Sequence, residues 1–282
     1  MPCCIVLRNE LFLTCKTPPM PFIKSFTVAT DKLQPFPFNI PAVKFAKNIV
    51  LDTPVSIFAG DNGCGKSSLL ESIAFSLNLP LIGGYIKGHL GFNAAKLIKP
   101  FLQIEWKRQT SMGFFFRAED FSDFINSIER GESRAMNDLR ELRGQVDDNV
   151  IEQMSRSMNH DLQKMRNVYG EDMQAFSHGE ACLTILQTRI KEKGIFLLDE
   201  PEAALSPLKQ LSLIAFILEV LKTNNAQFII ATHSPILMGI PGATLFEVQE
   251  TGMQRVAYKE TDHYRITRRF LDDPESYLRH LV

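Results

Sequence analysis

The sequence predicts an α/β fold with a mostly parallel core sheet, and three observations carry that prediction. Val55-Ser56-Ile57-Phe58-Ala59 reads as a strand, runs into a glycine-rich turn and continues as a helix over 66–77. Two more apolar runs, 195–198 and 227–231, have the length and composition of buried strands. A helical stretch over 207–223 separates them. Strands joined through helices pair in parallel, because the chain must cross back over the sheet before the next strand begins.

The other elements follow in chain order. Residues 1–21 are expected to be an extension: they hold three of the five cysteines, run into Pro18-Pro19-Met20-Pro21, and offer Met20 as an alternative start. The alternation over 22–30 is that of a strand, and 31–48, with three prolines, reads as irregular. Short strands are expected at 49–51 and 55–58, then a loop with a short helix over 79–98. Residues 101–108 and 114–117 read as a hairpin turning at Thr110-Ser111-Met112-Gly113. From 120 to about 173 the chain is polar and helical, with 7 basic and 13 acidic residues between 119 and 175. It reads as a small acidic helical lobe, inserted over about 120–190 and closed by a helix over 179–192. A second hairpin spans 244–258 with Thr251-Gly252 at its turn, and 262–282 reads as helical.

Composition bounds the function. Of 282 residues, 45% are hydrophobic and 22% charged, enough for a self-sufficient core over 22–282. Lys+Arg is 31 against Asp+Glu 32, so no global basic excess points to nucleic acid or an anionic membrane. The most apolar helical run, 211–221, contains Glu219 and falls short of the roughly 20 residues a span needs, so no membrane is expected. Five cysteines without a Cys-x-x-Cys pair make neither a disulfide framework nor a zinc site, and a reducing cytoplasmic setting fits them.

Four motifs carry chemistry. Gly60-Asp61-Asn62-Gly63-Cys64-Gly65-Lys66-Ser67 fits G-x-x-x-x-G-K-[ST], followed by Ser68. Glycines let successive N–H groups turn toward phosphate oxygens, and the following helix adds its positive end. Lys66 is expected to reach the β- and γ-phosphates of ATP, and Ser67 to ligate magnesium; Cys64 occupies a variable position. Next, the 195–198 run ends in Asp199-Glu200, which puts two carboxylates at the sheet edge where the phosphate loop opens. Asp199 is expected to hold magnesium and Glu200 to polarise the attacking water. Third, His233 ends the next core strand in Ala231-Thr232-His233-Ser234-Pro235, where an imidazole can contact the γ-phosphate and orient the water. Fourth, Ser177-His178-Gly179-Glu180 precedes a helix. Ser177 reads either as a helix cap or, with Gly179, as an anion site.

In this order and spacing the motifs resemble the ABC-type ATPase superfamily. The wording of 177–180, 197–207, 231–237 and Tyr264-Arg265-Ile266-Thr267-Arg268 is similar to small stand-alone AAA-family ATPases of bacteria. Those are relatives of the ATP-binding heads of structural-maintenance-of-chromosomes and RecF-like proteins. The resemblance covers 22–282 and implies an ATPase head with a parallel core, an antiparallel β lobe and a helical lobe. It implies a homodimer that sandwiches ATP. Residues 60–68 of one subunit would hold the nucleotide, Ser177 and Gly179 of the other would meet the γ-phosphate, and Asp199, Glu200 and His233 would complete the hydrolytic site. Ala203-Ala204-Leu205-Ser206 takes the place of the D-loop.

The sequence also departs from the pattern. Its signature is SHGE rather than the LSGGQ of transporters. The expected glutamine near the end of the first hairpin is missing, and Arg117 or Glu119 stands near its place. No adenine-stacking aromatic is identified, and Phe36 and Phe38 are candidates that read equally well as core phenylalanines. Three functions are therefore set side by side: an ATPase driving a partner process, a nucleotide-sensing subunit of a toxin or nuclease complex whose effector is another chain, and, with least support, a transporter subunit. DNA enters as a partner if the basic residues of the first 50 positions share a face with Lys87, Lys96, Lys99, Lys107 and Arg108. Otherwise these are solvated surface cations.

Overall fold

The computed structural model describes residues 20–29, 35–82, 93–121, 152, 156, 178–190, 193–223 and 225–279. Residues 1–19 of the expected extension, Ser177, Lys87 and most of the expected helical lobe lie outside that set.

The core is a seven-stranded sheet in the order β10-β9-β3-β8-β7-β6-β4. Its strands are β3 (Val55–Gly60), β4 (Leu81–Ile82), β6 (Gly113–Arg117), β7 (Gly194–Asp199), β8 (Ala226–Ala231), β9 (Thr244–Gln249) and β10 (Gly252–Val256). All neighbours are parallel except β9 and β10, which form the expected hairpin. Strands β3, β7 and β8 are buried at every position, as apolar runs covered on both faces should be.

Side-chain alternation divides the core in two. Ile57, Phe116, Phe196, Leu198, Phe228 and Ile230 pack on one face with α4 (His178–Arg189) and α5 (Pro207–Thr223). Phe58, Phe115, Ile195, Leu197 and Ile229 pack on the other with α2 (Lys66–Ser76) and α3 (Asn93–Ile98). That second face also carries an antiparallel sheet of β2 (Ile49–Val50), β1 (Ile23–Val28) and β5 (Leu102–Trp106). Gln227, fully buried in β8, joins the two sheets. Its Oε1 accepts from the N–H groups of Phe22 and Ile23 at 2.8 Å each, and its Nε2 donates to Ile23 O at 3.1 Å.

The expected hairpin over 101–117 does not form. β5 pairs with β1 in the small sheet, whereas β6 lies between β4 and β7 in the large one. The reason is in the patterns. β5 alternates half-buried and exposed residues, but Phe114-Phe115-Phe116 is buried on both sides and belongs in a parallel core. The C-terminal stretch is helical as expected and forms two helices among the described residues. α7 (Asp262–Asp272) follows α6 (Pro235–Met238) in the chain, and α8 (Pro274–Leu278) begins at a proline, whose missing N–H and clash with the preceding residue break the helix at Asp273. Among the described residues, no helix is long and apolar enough to cross a membrane.

Candidate nucleotide site

Register brings the motif residues to one edge. Asp199 lies beside Arg117 on β6 and Ala231 on β8, and Ala231 lies beside Phe58 on β3. The carboxyl ends of these parallel strands therefore open together, which is where ligands bind in such sheets.

The loop from β3 to α2 turns on glycines with positive φ: Gly60 at 150°, Gly63 at 79° and Gly65 at 92°. Space demands the same residue type. A Cβ on Gly65 would stand 2.0 Å from Ile40 Cγ2, and one on Gly60 would stand 2.4 Å from the carbonyl of Val248. Ile40 precedes α1 (Pro41–Lys44), whose Ala42 N–H donates to Cys64 O at 2.9 Å, so α1 braces the loop from behind. Lys66 is buried, and its ammonium donates to Gly60 O at 2.8 Å and Asp61 O at 3.0 Å. Cys64 is buried too, its Sγ 3.8 Å from Lys66 Nζ.

Ser67 Oγ donates to Asp199 Oδ1 at 3.1 Å. Asp199 is 2% exposed, and burial pushes its carboxyl up to about 7 against the opposing pull of Ser67 and Arg117. Among the described residues its side-chain hydrogen bond is to one hydroxyl, and the nearby charges of Arg117 and Lys66 do not offset its burial. Ser67 and Asp199 offer two hard oxygens side by side, and magnesium needs no more than that from the protein when phosphates and water supply the rest. The residues therefore fit Mg2+. No larger cluster of His, Cys, Asp and Glu that could hold a metal occurs among the described residues.

Glu200 leaves β7 with φ 48° and ψ 48°, a left-handed conformation costly for a residue with a side chain. Its N–H donates to Ala231 O at 2.9 Å, and its Oε1 lies 2.7 Å from Nε2 of His233. The Glu200 side chain is 39% exposed and that of His233 25%, so both can meet solvent.

Arg117 turns away from this pair. It donates to Glu71 on α2 at 2.8 Å and lies 3.5 Å from Asp120. Burial works against its charge, but Asp120, Glu71 and Asp199 outweigh that and hold the guanidinium above its ordinary range. Burial pushes Glu71 up to about 7 despite the pair, because one guanidinium faces several acids. Glu119 is exposed. Of the two aromatic candidates, Phe38 packs edge-on against Phe101 at 5.1 Å, and Phe36 is 63% exposed. At the start of α4, a Cβ on Gly179 would stand 2.7 Å from the carbonyl of Ala204, so that helix end is seated on the turn that follows Glu200. Two of the basic residues weighed for DNA lie over rings, Lys99 over Phe75 and Arg108 over Phe22.

Three site neighbours escaped the sequence reading. Glu202 sits two residues after Glu200, so a second acid in Asp-Glu-Pro-Glu was the available signal. Glu71 is one turn along α2 from Ser67, again a legible spacing. His263 had none. It comes from α7, pinned to β9 where Asp262 N–H donates to Glu247 Oε1 at 2.8 Å, and its ring centre is 5.7 Å from that of His233. Burial, then His233, hold its imidazole below the ordinary range.

A doubly covered parallel sheet with G-x-x-x-x-G-K-S between a strand and a helix defines a P-loop nucleotide-binding protein. The family described as ABC transporter matches residues 52–203, more than half of the chain. The chain therefore belongs to the ABC-type family and is an ABC-type ATPase domain. Residues 181–239 also match an AAA-domain family with a suggested link to the AbiEii toxin of type IV TA systems. No curated protein matches. Among solved structures, cbiO1 from Clostridium perfringens, part of the ABC transporter complex cbiONQ, is similar at 14% identity and TM-score 0.44, covering 94% of this chain and 99% of that one. The Smc head domain with an extended coiled coil, bound to the C-terminal domain of ScpA derived from Pyrococcus furiosus, is similar at 13% identity and TM-score 0.46, covering 91% and 100%. A nucleotide-free ATP-binding cassette from an ABC transporter is similar at 15% identity and TM-score 0.44, covering 90% and 96%.

Proposed function

We propose that residues 22–282 form one ATPase head, with its helical lobe inserted, that binds ATP with magnesium and hydrolyses it in the cytoplasm. The observation that carries this reading is the Glu200–His233 contact of 2.7 Å beside the Ser67–Asp199 contact of 3.1 Å, both at the mouth of the phosphate loop.

The loop amides of 60–68 and Lys66 bind the phosphates. Ser67 and Asp199 would hold magnesium, which would supply positive charge against that of the phosphates. Glu200 takes a proton from water as the water oxygen bonds to the γ-phosphorus and the bond to the ADP oxygen breaks. His233 orients Glu200 and the water. Charge that develops on the γ-phosphoryl group needs donors on its open side, and Ser177 and Gly179 of a second copy supply them in an ATP-dependent homodimer. The cycle drives a conformational change in a partner process such as DNA maintenance or defence.

A second reading, a nucleotide-sensing subunit of a toxin or nuclease complex with little turnover, draws on the AAA-domain match over 181–239. One experiment tests both. Glu200→Gln should bind ATP, stop turnover and shift to a dimer in size-exclusion chromatography; hydrolysis at the wild-type rate overturns the assignment of the base. Robust turnover by wild-type protein without any partner counts against the second reading.

A further inference from the structure

The Glu200-Pro201-Glu202 turn holds one residue at both ends. Glu200 meets the ring of His233. Two residues on, Glu202 Oε1 accepts from the His233 N–H at 2.6 Å, the Ser234 N–H at 3.1 Å and Thr232 Oγ1 at 2.5 Å. These donors are the three residues that leave β8 and lead into α6. Buried Pro201 fixes the backbone between the two acids. Ser234 extends the hold: its Oγ accepts from the N–H groups of Ile236 and Leu237, capping α6, and donates to Gln210 Oε1 on α5 at 2.5 Å.

We propose that Glu202 is a positioning residue for hydrolysis, fixing the backbone of 232–234 so that the His233 ring stays presented to Glu200. The inference rests on the reading of Glu200 and His233 given above. Glu202 is not a second base. Its Oε1 already accepts three hydrogen bonds, and its Oε2 is buried without a hydrogen-bond partner among the described residues. Because Glu202 lies on the turn whose Ala204 carbonyl faces Gly179, displacement of that turn or of the start of α4 reaches His233 through this carboxylate.

Steady-state hydrolysis of magnesium ATP by Glu202→Ala and Glu202→Gln tests the proposal. Alanine should lower kcat on the order of 10- to 100-fold, the loss that a misplacement of about 1 Å produces, with KM within about twofold. Glutamine, whose amide oxygen still accepts, should stay within about fivefold of wild type. Wild-type kcat in the alanine variant, or a glutamine variant as slow as alanine, overturns it. Amide hydrogen exchange at 233 and 234 gives a readout independent of turnover. It should speed up in the alanine variant and not in the glutamine variant, and unchanged exchange in both overturns the clamp. Wild-type protein that fails to hydrolyse ATP overturns the proposed function instead, and the exchange experiment still decides the clamp.

Discussion

Glu71 should give the nucleotide-free protein a stability that falls as pH rises through the acid range. Its carboxyl stands at about 7 in the fold against an ordinary 4.5. Between those values the folded chain holds a proton that the unfolded chain has released, so unfolding releases it and stability declines with rising pH. Below about 4.5 both states are protonated, and above about 7 both are ionised, so the slope is confined to that window. The difference of 7 − 4.5 corresponds to a ceiling of about 3.5 kcal/mol at about 1.4 kcal/mol per unit. The Glu71 side chain is only 10% exposed, so solvent screening takes little from that ceiling. At about 2–4 °C per kcal/mol, Tm should fall by at most roughly 7–14 °C from the acid to the neutral side. The assay is thermal unfolding between pH 5 and 8 for wild type and Glu71→Gln, which keeps an acceptor for Arg117 and cannot ionise. Asp199, at about 7, slopes the same way in both proteins, so the difference between the two curves reports Glu71 together with its coupling to Asp199. A wild-type Tm that is flat or rises from pH 5 to 7 refutes the reasoning, as does an equal slope in Glu71→Gln.

Three further outcomes are expected. Gly65→Ala forces a Cβ to within 2.0 Å of Ile40 Cγ2 at φ 92° and should cost about 1–3 kcal/mol of stability and most ATP affinity; unchanged Tm and binding would show that the loop relaxes freely. Phe36→Ala should weaken ATP binding by about 1–3 kcal/mol without lowering kcat if its exposed ring stacks on adenine, and equal affinity, read by titration with a fluorescent ATP analogue, removes Phe36 from the site. Chelating magnesium should abolish hydrolysis and raise the Tm of the nucleotide-free protein by nothing, whereas adding magnesium with ATP should raise Tm; hydrolysis that survives chelation contradicts the roles given to Ser67 and Asp199.

What the sequence made legible depended on how local the cause was. The phosphate loop, the strand before it and the helix after it are fixed by neighbours in the chain, and α5 (Pro207–Thr223) lies where its apolar pattern put it. The place of β6 was not legible, because two strands joined by a short turn look like a hairpin whether or not they pair. Only the burial of Phe115 on one face and Phe114 and Phe116 on the other separates the cases, and that is a tertiary fact. The same holds within the site. Asp199, Glu200 and His233 end apolar strands and announce themselves, but Arg117 could be assigned a direction only once Glu71 was seen 2.8 Å away. His263 reaches the site through the Glu247–Asp262 contact, across 15 residues of hairpin and turn that leave no period in the sequence.

Charge explains why these neighbours belong together. Glu71, Asp120, Asp199, Glu200 and Glu202 crowd one sheet edge, and beside them among the described residues stand buried Lys66 and half-buried Arg117. Lys66 spends its hydrogen bonds on the carbonyls of Gly60 and Asp61, and Arg117 is committed to Glu71 and Asp120. ATP alone would add negative charge to an edge that already lacks positive charge, so nucleotide and magnesium should enter as a unit. Half-buried Glu202 has three donors on its Oε1, and the same three bonds commit it to the turn that carries His233. On the proposed mechanism, that leaves Glu200, whose side chain is 39% exposed, as the group to take the proton.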